Sequence, residues 1–203
     1  KLASRPDVLA KGMALVAGHL TAGTMVRRGV TPVEIHGDAE TGVSGVTVRL
    51  ASGRELRLAC DAVALGYHLR PETQLADLAR CDFTFDEATR QFWPVVDEDG
   101  RSSVEGVYLA GDGVRTQGAD GAEIAGRLAA LAVLADRGLS VSAPDVAALK
   151  RRRQTMERFR EGIAEAFPWP HHLAAGLPDD TVVCRCEGIT AGELRSVVHD
   201  KGA

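Results

Sequence analysis

The sequence runs to 203 residues, 45% of them hydrophobic, with 24 Lys and Arg against 28 Asp and Glu. That length and content allow one large domain or two small ones, each with a buried core, and exclude a disordered tail. The formal net charge of -4, with both signs spread along the chain, leaves no single-signed surface to attract nucleic acid or anionic lipid.

The longest apolar stretch, from about Ile124 to Leu134, is interrupted by Arg127 and falls short of the ~20 residues a bilayer span needs, so no membrane span is expected. The opening Lys1-Leu2-Ala3-Ser4-Arg5-Pro6 has no signal-peptide pattern and no initiator Met, and reads as the middle of a longer chain. Cys60, Cys81, Cys184 and Cys186 are too few and too unevenly spaced for a secreted disulfide framework, which points to a reducing cytoplasm.

Asp7 to Leu20 places Val8, Leu9, Met13, Leu15, Val16 and Leu20 at helical spacing and stops at Gly23, which predicts an amphipathic helix. Strand signals follow. Val33 to His36, Val46 to Leu50 and Glu55 to Leu58 are separated by Gly37-Asp38 and Ser52-Gly53, and predict an antiparallel meander. Asp61 to Gly66 and Gly106 to Asp112 are short apolar runs ending in Gly, the pattern of strands buried on both faces. Asp61 to Leu65 and Val107 to Ala110 are accordingly predicted to be neighbouring strands of one sheet. Between them, Pro71 to Leu78 predicts a short helix, and Phe92 to Val96 a strand closed by the turn Asp97-Glu98-Asp99-Gly100.

Asp120 and Glu123 have capping-box spacing, and Ile124, Leu128, Leu131 and Leu134 repeat helically up to Gly138, which predicts a helix packed on the sheet. Pro144 opens another, with Lys150 to Arg153 and Glu157, Glu161 and Glu165 on its wet side. Pro168, Pro170, Gly176 and Pro178 then break the chain into a connector. No internal repeat or low-complexity tract is present.

Two segments carry chemistry. The first is Val107-Tyr108-Leu109-Ala110-Gly111-Asp112-Gly113, with the small-residue loop through Gly118, Ala119 and Gly121. Glycine lets the backbone approach a ligand, and the following helix offers free N–H groups and a partial positive charge. Taken alone, this reads rather as an ordinary strand-loop-helix junction with a solvated Asp. The second is Cys184-Arg185-Cys186 at the end of a short strand, two thiols whose convergence on one centre is expected to need a turn at Arg185. An iron-sulfur cluster, a zinc ion and two incidental thiols all fit that spacing.

Val107 to Leu134 resembles the second FAD-contacting segment of two-dinucleotide-domain flavoproteins. Ala64 to Leu75, with Gly66-Tyr67 and Pro71-Glu72-Thr73-Gln74-Leu75, resembles the return strand of the same family. The closest likeness is to the flavoprotein subunits of opine, D-hydroxyproline and hydrogen-cyanide-forming dehydrogenases. The run from Cys184 through Glu187, Thr190 and Leu194 resembles the start of a bacterioferritin-associated-ferredoxin-like [2Fe-2S] domain, in which a later Cys-x-x-Cys completes the site.

This resemblance implies an α/β, FAD/NAD(P)-binding Rossmann-like fold, present as its C-terminal part and followed by a helical connector and a truncated [2Fe-2S] domain. The implied divisions are 1–59 for the end of a nicotinamide-type inserted domain, 60–140 for the end of the FAD domain, 141–180 for the connector and 181–203 for the cluster domain. Gly111, Asp112, Gly118, Ala119, Ala122 and Glu123 are the implied FAD contacts, with Asp112 on a ribityl hydroxyl. Cys184 and Cys186 are the implied metal ligands. The family's Gly-x-Gly-x-x-Gly loop is missing from this sequence, so weak FAD binding is expected of these residues alone.

The implied activity is oxidation of a small-molecule amine or imino acid, with electrons passed toward the cluster and other dehydrogenase subunits as partners. The alternatives are an NAD(P)H-dependent flavin or nitrite reductase module, with NAD(P) as a further cofactor, and a non-catalytic scaffold subunit. No general base is evident. Cys60 and Cys81 read as packed thiols, Phe92 and Trp93 as core or contact aromatics, and His171-His172 carries no assigned role. Tyr67, His68 and Arg70 read equally as flavin-side contacts and as packing residues.

Overall fold

The computed structural model describes residues 1–66 and 68–201. A single 3-10 turn, Leu2–Ser4, leads into α1 (Pro6–Thr21), whose Pro6 stands in the first turn, where the missing N–H costs nothing. Gly23 closes α1 at φ +71°, as the sequence predicts.

The meander forms as expected: β1 (Thr31–Asp38), β2 (Gly42–Arg49) and β3 (Glu55–Ala59) pair antiparallel in that order. Val46 faces Ile35 on one side and Leu58 on the other, which puts an apolar row across the sheet. Gly45 is required by close approach, because a Cβ there would come within 2.7 Å of the Leu58 carbonyl oxygen.

After the short α2 (Gln74–Leu78), β4 (Phe83–Asp86) and β5 (Gln91–Pro94) make a hairpin in which Phe85 stacks on Phe92 at 5.0 Å. The sequence signals only the second strand of this pair. Phe92 stays 64% exposed, whereas Trp93 beside it is 4% exposed, so of the two only Trp93 is a core residue.

Asp61 to Leu65 and Val107 to Ala110 do not form strands, and the sheet expected from them is absent among the described residues. A strand needs partners for the N–H and C=O groups along its edges, and no parallel neighbour lies beside either segment. The second segment bonds locally instead: Leu109 N–H donates to the Gly100 oxygen at 2.8 Å, and Tyr108 bridges to Arg101. The Tyr108 hydroxyl and the Arg101 guanidinium both donate to Asp136, holding its carboxyl down at about 2 and pinning this loop to the end of the next helix.

α3 (Gly118–Asp136) and α4 (Ala143–Ala166) form the main packed pair. Their core is Ile124, Leu128 and Leu149, with Leu131, Val146 and Met156 packed around it. Ser142 caps α4 by accepting from the Asp145 N–H, and Pro144 follows in its first turn. The cap expected at Asp120 is not made, because α3 begins earlier, at Gly118, and the Asp120 carboxylate is drawn away by Arg5 at 2.9 Å.

Beyond the short α5 (His172–Ala175), β6 (Val182–Cys184) and β7 (Ile189–Thr190) pair and lead into α6 (Ala191–Lys201). Here the expected capping box does form: Glu193 N–H donates to Thr190 Oγ1 and Thr190 N–H donates to the Glu193 carboxylate at 2.8 Å. No helix among the described residues is long and apolar enough to cross a membrane.

Leu128 is 1% exposed at the centre of the α3–α4 contact. Leu128→Ala should therefore cost about 2–4 kcal/mol of stability, read as a lower urea midpoint at unchanged slope.

Candidate functional site

Gly111, Asp112 and Gly113 form one 3-10 turn between the Ala110 extended segment and α3. Gly111 takes φ +65°, and a Cβ on it would lie 3.4 Å from the Ala122 Cβ, so a side chain here meets both backbone strain and α3. The Asp112 oxygen accepts the Glu72 N–H at 2.9 Å, which brings two sequence-predicted segments, Pro71 to Leu75 and the Gly-Asp-Gly turn, together. The Asp112 side chain is exposed and takes no hydrogen bond within the described protein. Tyr67 lies outside the described residues.

α3 is preceded by its N-cap, Gln117, which provides no side-chain cap, so the first-turn N–H groups are left without a side-chain acceptor. Gly118 and Ala119 are exposed at this end and Ala122 is half-buried. Glu123 is exposed and pairs with Arg127 at 3.5 Å, one turn on, which directs it along the helix rather than toward Asp112. The structure thus sets Gly111 against Ala122, leaves Gly118 and Ala119 exposed at the start of α3, and gives Glu123 a different partner.

The loop between the turn and α3 is held by residues that sequence reasoning reads as packing or solvated surface. Arg115 lies 4.3 Å over one ring of Trp93, and Arg160 of α4 lies 5.1 Å from it. Glu157 of α4 accepts from Arg115 at 3.2 Å, from Gln117 at 2.8 Å and from Arg160 at 2.7 Å. Burial would push the Glu157 carboxyl up, but the hydrogen bond from Arg160 and the charges of both arginines hold it below the usual carboxylate range. Burial pulls Arg115 below its ordinary value. A cavity of about 440 Å³ opens beside this cluster, lined by His68, Thr116, Phe167 and both tryptophans, Trp93 and Trp169. His68 stacks against Trp169 at 4.7 Å, a packing contact; the signal for the cluster as a whole was the lone Trp93 beside apolar strand residues.

The two thiols of the second motif sit at the end of the β6–β7 hairpin, Cys184 half-buried in the last position of β6 and Cys186 exposed in the turn that begins at Arg185. Cys81 is buried and Cys60 half-buried, and neither adds to a cluster: among the described residues no three His, Cys, Asp or Glu side chains gather in a metal-sized group. The His171 ring meets the Trp169 oxygen at 3.1 Å.

Residues 8–165 match the family model described as pyridine nucleotide-disulphide oxidoreductase. The chain belongs to that family. Its members have the FAD/NAD(P) Rossmann-like α/β fold, which agrees with the fold class expected from the sequence. The chain is 40% identical to an opine oxidase subunit of Agrobacterium tumefaciens (strain Ach5) over 157 residues, 75% of this chain and 31% of that protein. It is 40% identical to the corresponding opine oxidase subunit of Rhizobium meliloti over 174 residues, 84% of this chain and 32% of that one. Hydrogen cyanide synthase subunit HcnB of Pseudomonas protegens is 30% identical over 210 residues, 94% of this chain and 42% of that protein. The chain thus spans about a third of the length of the first two relatives. The resemblance to subunits of FAD-dependent oxidoreductases stands.

The strain argument at the turn has a sign that can be checked against a second glycine. Gly111→Ala should lower stability by about 1–2 kcal/mol. Gly126→Ala, inside α3 with open space around it, should instead raise it by about 0.5–1 kcal/mol. Urea unfolding of both variants decides.

Proposed function

We propose that the protein is a subunit of an FAD-dependent dehydrogenase that oxidises a small amine or imino acid of the opine type and passes the electrons toward a [2Fe-2S] cluster. The observation that carries this reading is the free Asp112 carboxylate at a Gly-rich turn before an uncapped helix, inside the region that matches the family and the opine oxidase subunits. FAD, when bound, supplies the two-electron oxidation.

The residues fit that group. Asp112 is free to accept from a ribityl hydroxyl. Gly111, Gly118 and Ala119 present little side-chain bulk, and the first-turn N–H groups of α3 suit an electron-rich carbonyl of the flavin ring. Ala122, behind Gly111, forms the floor. Glu123 acts at most through the charge it shares with Arg127. Cys184 and Cys186 would supply two of the four thiolates of the cluster.

On this reading residues 1–59 end a nicotinamide-type inserted domain, 60–140 end the FAD domain, 141–180 connect, and 181–203 begin the cluster domain. Partners are the other subunits of the enzyme, as the relatives' names indicate for theirs, and the setting is the cytoplasm, where thiols stay reduced.

A hydrogen bond to a charged group is worth about 1.5–3 kcal/mol, so Asp112→Ala in the intact protein should weaken FAD binding by about ten- to a hundredfold. Asp112→Asn, which keeps the shape, should lose less. Flavin titration of the apoprotein reads both, and unchanged affinity in a folded Asp112→Ala protein would defeat the assignment. For the cluster, Cys184→Ser with Cys186→Ser should abolish iron and sulfide uptake on anaerobic reconstitution. Equal uptake by that variant and the parent removes the thiol assignment.

A further inference from the structure

Glu157 lies on α4, 40 residues from Gln117 and 42 from Arg115, yet its carboxylate joins both to α4. The junction ties to α4 a loop whose backbone is otherwise bonded to the Gly111 oxygen through the Val114 and Arg115 N–H groups. Arg115 is held on the Trp93 face, and its second restraint is Glu157. Gln117 stands at the N-cap of α3, but its amide donates to Glu157 and caps nothing. Its side chain lies so close over Gly121 that a Cβ there would come within 2.5 Å of the Gln117 Cβ. The Gln117 rotamer is therefore trapped between Gly121 and Glu157.

A capping side chain would occupy the first-turn N–H groups of α3. By drawing Gln117 sideways, Glu157 leaves those groups open. The carboxylate is half-buried and shared by two guanidiniums, so its loss would leave two part-desolvated cations without their common partner.

We infer that Glu157 is a positioning residue for the flavin loop: from α4 it holds residues 114–117 so that the amino end of α3 stays uncapped and faces the ligand. The inference rests on the proposed flavin site. Glu157 touches neither flavin nor substrate in this role.

The test uses the intact protein stripped of flavin, with Glu157→Gln, Gln117→Leu and Asp112→Ala prepared in parallel. Two readouts are taken: FAD affinity by quenching of flavin fluorescence, and hydrogen exchange of the backbone amides at 114–118. Glu157→Gln should weaken FAD binding about five- to twentyfold and speed exchange at 114–118 while leaving the β1–β3 sheet unchanged. Gln117→Leu, which keeps both ion pairs, should move both readouts in the same direction and less far; it also supplies the answer if Glu157→Gln fails to fold.

The inference is overturned if FAD affinity stays within about twofold of the parent in a folded Glu157→Gln protein, whether or not exchange rises. Faster exchange at unchanged affinity would make Glu157 a structural brace only. A parent protein that binds no FAD, or an Asp112→Ala variant with unchanged affinity, defeats the flavin site first and the positioning role with it. Weakened binding in Asp112→Ala but not in Glu157→Gln or Gln117→Leu defeats the positioning role alone.

Discussion

The seam between α3 and α4 is the contact on which the rest of the molecule depends. The chain exposes 14505 Å², against roughly 9,000 Å² for a compact folded chain of its mass. Few residues are buried deeply, and the largest fully buried side chains, Ile124 and Leu128, both point from α3 into α4. The β1–β3 sheet makes extended contacts only within itself among the described residues, and α1 leaves Met13, Leu15 and Leu20 more than half exposed. Burial of large apolar side chains, at about 25 cal/mol per Å², is therefore greatest at this seam, and what lies next to it inherits its rigidity.

The Gly-Asp-Gly turn and its loop are what lie next to it. Leu128 and Leu149 set the separation of the two helices, and at that separation Glu157 comes within hydrogen-bond reach of Arg115 and Gln117. One apolar contact thus determines the geometry of a polar one. The polar contact in turn is specific, because a carboxylate shared by two guanidiniums and an amide tolerates little displacement before a half-buried charge goes unpaired. Apolar packing supplies most of the free energy here; the ion cluster selects one arrangement of the loop.

How much of this the sequence discloses follows from the range of the interactions concerned. The meander, the helix ended by Gly23 and the Thr190–Glu193 cap are local, made by residues a few positions apart, and each is readable as a pattern. The same spacing at Asp120–Glu123 misleads, because Arg5 takes Asp120 from more than a hundred residues away and Gly118 starts the helix early. Asp61 to Gly66 has the composition of a buried strand, but composition does not provide a neighbour to pair with. Glu157 reads as one of three acids at four-residue intervals on a wet helix face, and that holds for Glu161 and Glu165, which meet Lys1 in exposed pairs. Nothing in the spacing separates Glu157 from them. Only the crossing of α4 over the loop does. Gly111, Asp112, Gly118 and Ala119 can be picked out as one candidate group because all lie on one short stretch of chain.

The thiol hairpin obeys a different constraint from the Gly-Asp-Gly loop, since no apolar seam reaches it. Its attachment is Arg195 of α6, which donates to the Asp179 carboxylate and, at 2.8 Å, to the Leu177 oxygen, and so ties α6 to the proline-broken connector. Backbone bonds from Gly192 to the Asp179 oxygen and from Ala191 to the Thr181 oxygen close the same junction. A register shift between Val182 and Cys184 precedes the turn, and Cys184 closes the strand while Cys186 lies in the turn beyond it. Connector, hairpin and α6 therefore behave as one polar-stapled unit, and the direction in which Cys184 and Cys186 face is set relative to the connector by Arg195. With the loop at 114–117 fixed to α4 by Glu157 and the thiols fixed to the connector by Arg195, the geometry between the two motifs rests on the residues that join them, Phe167 to Leu173, where a proline-broken chain replaces the helix.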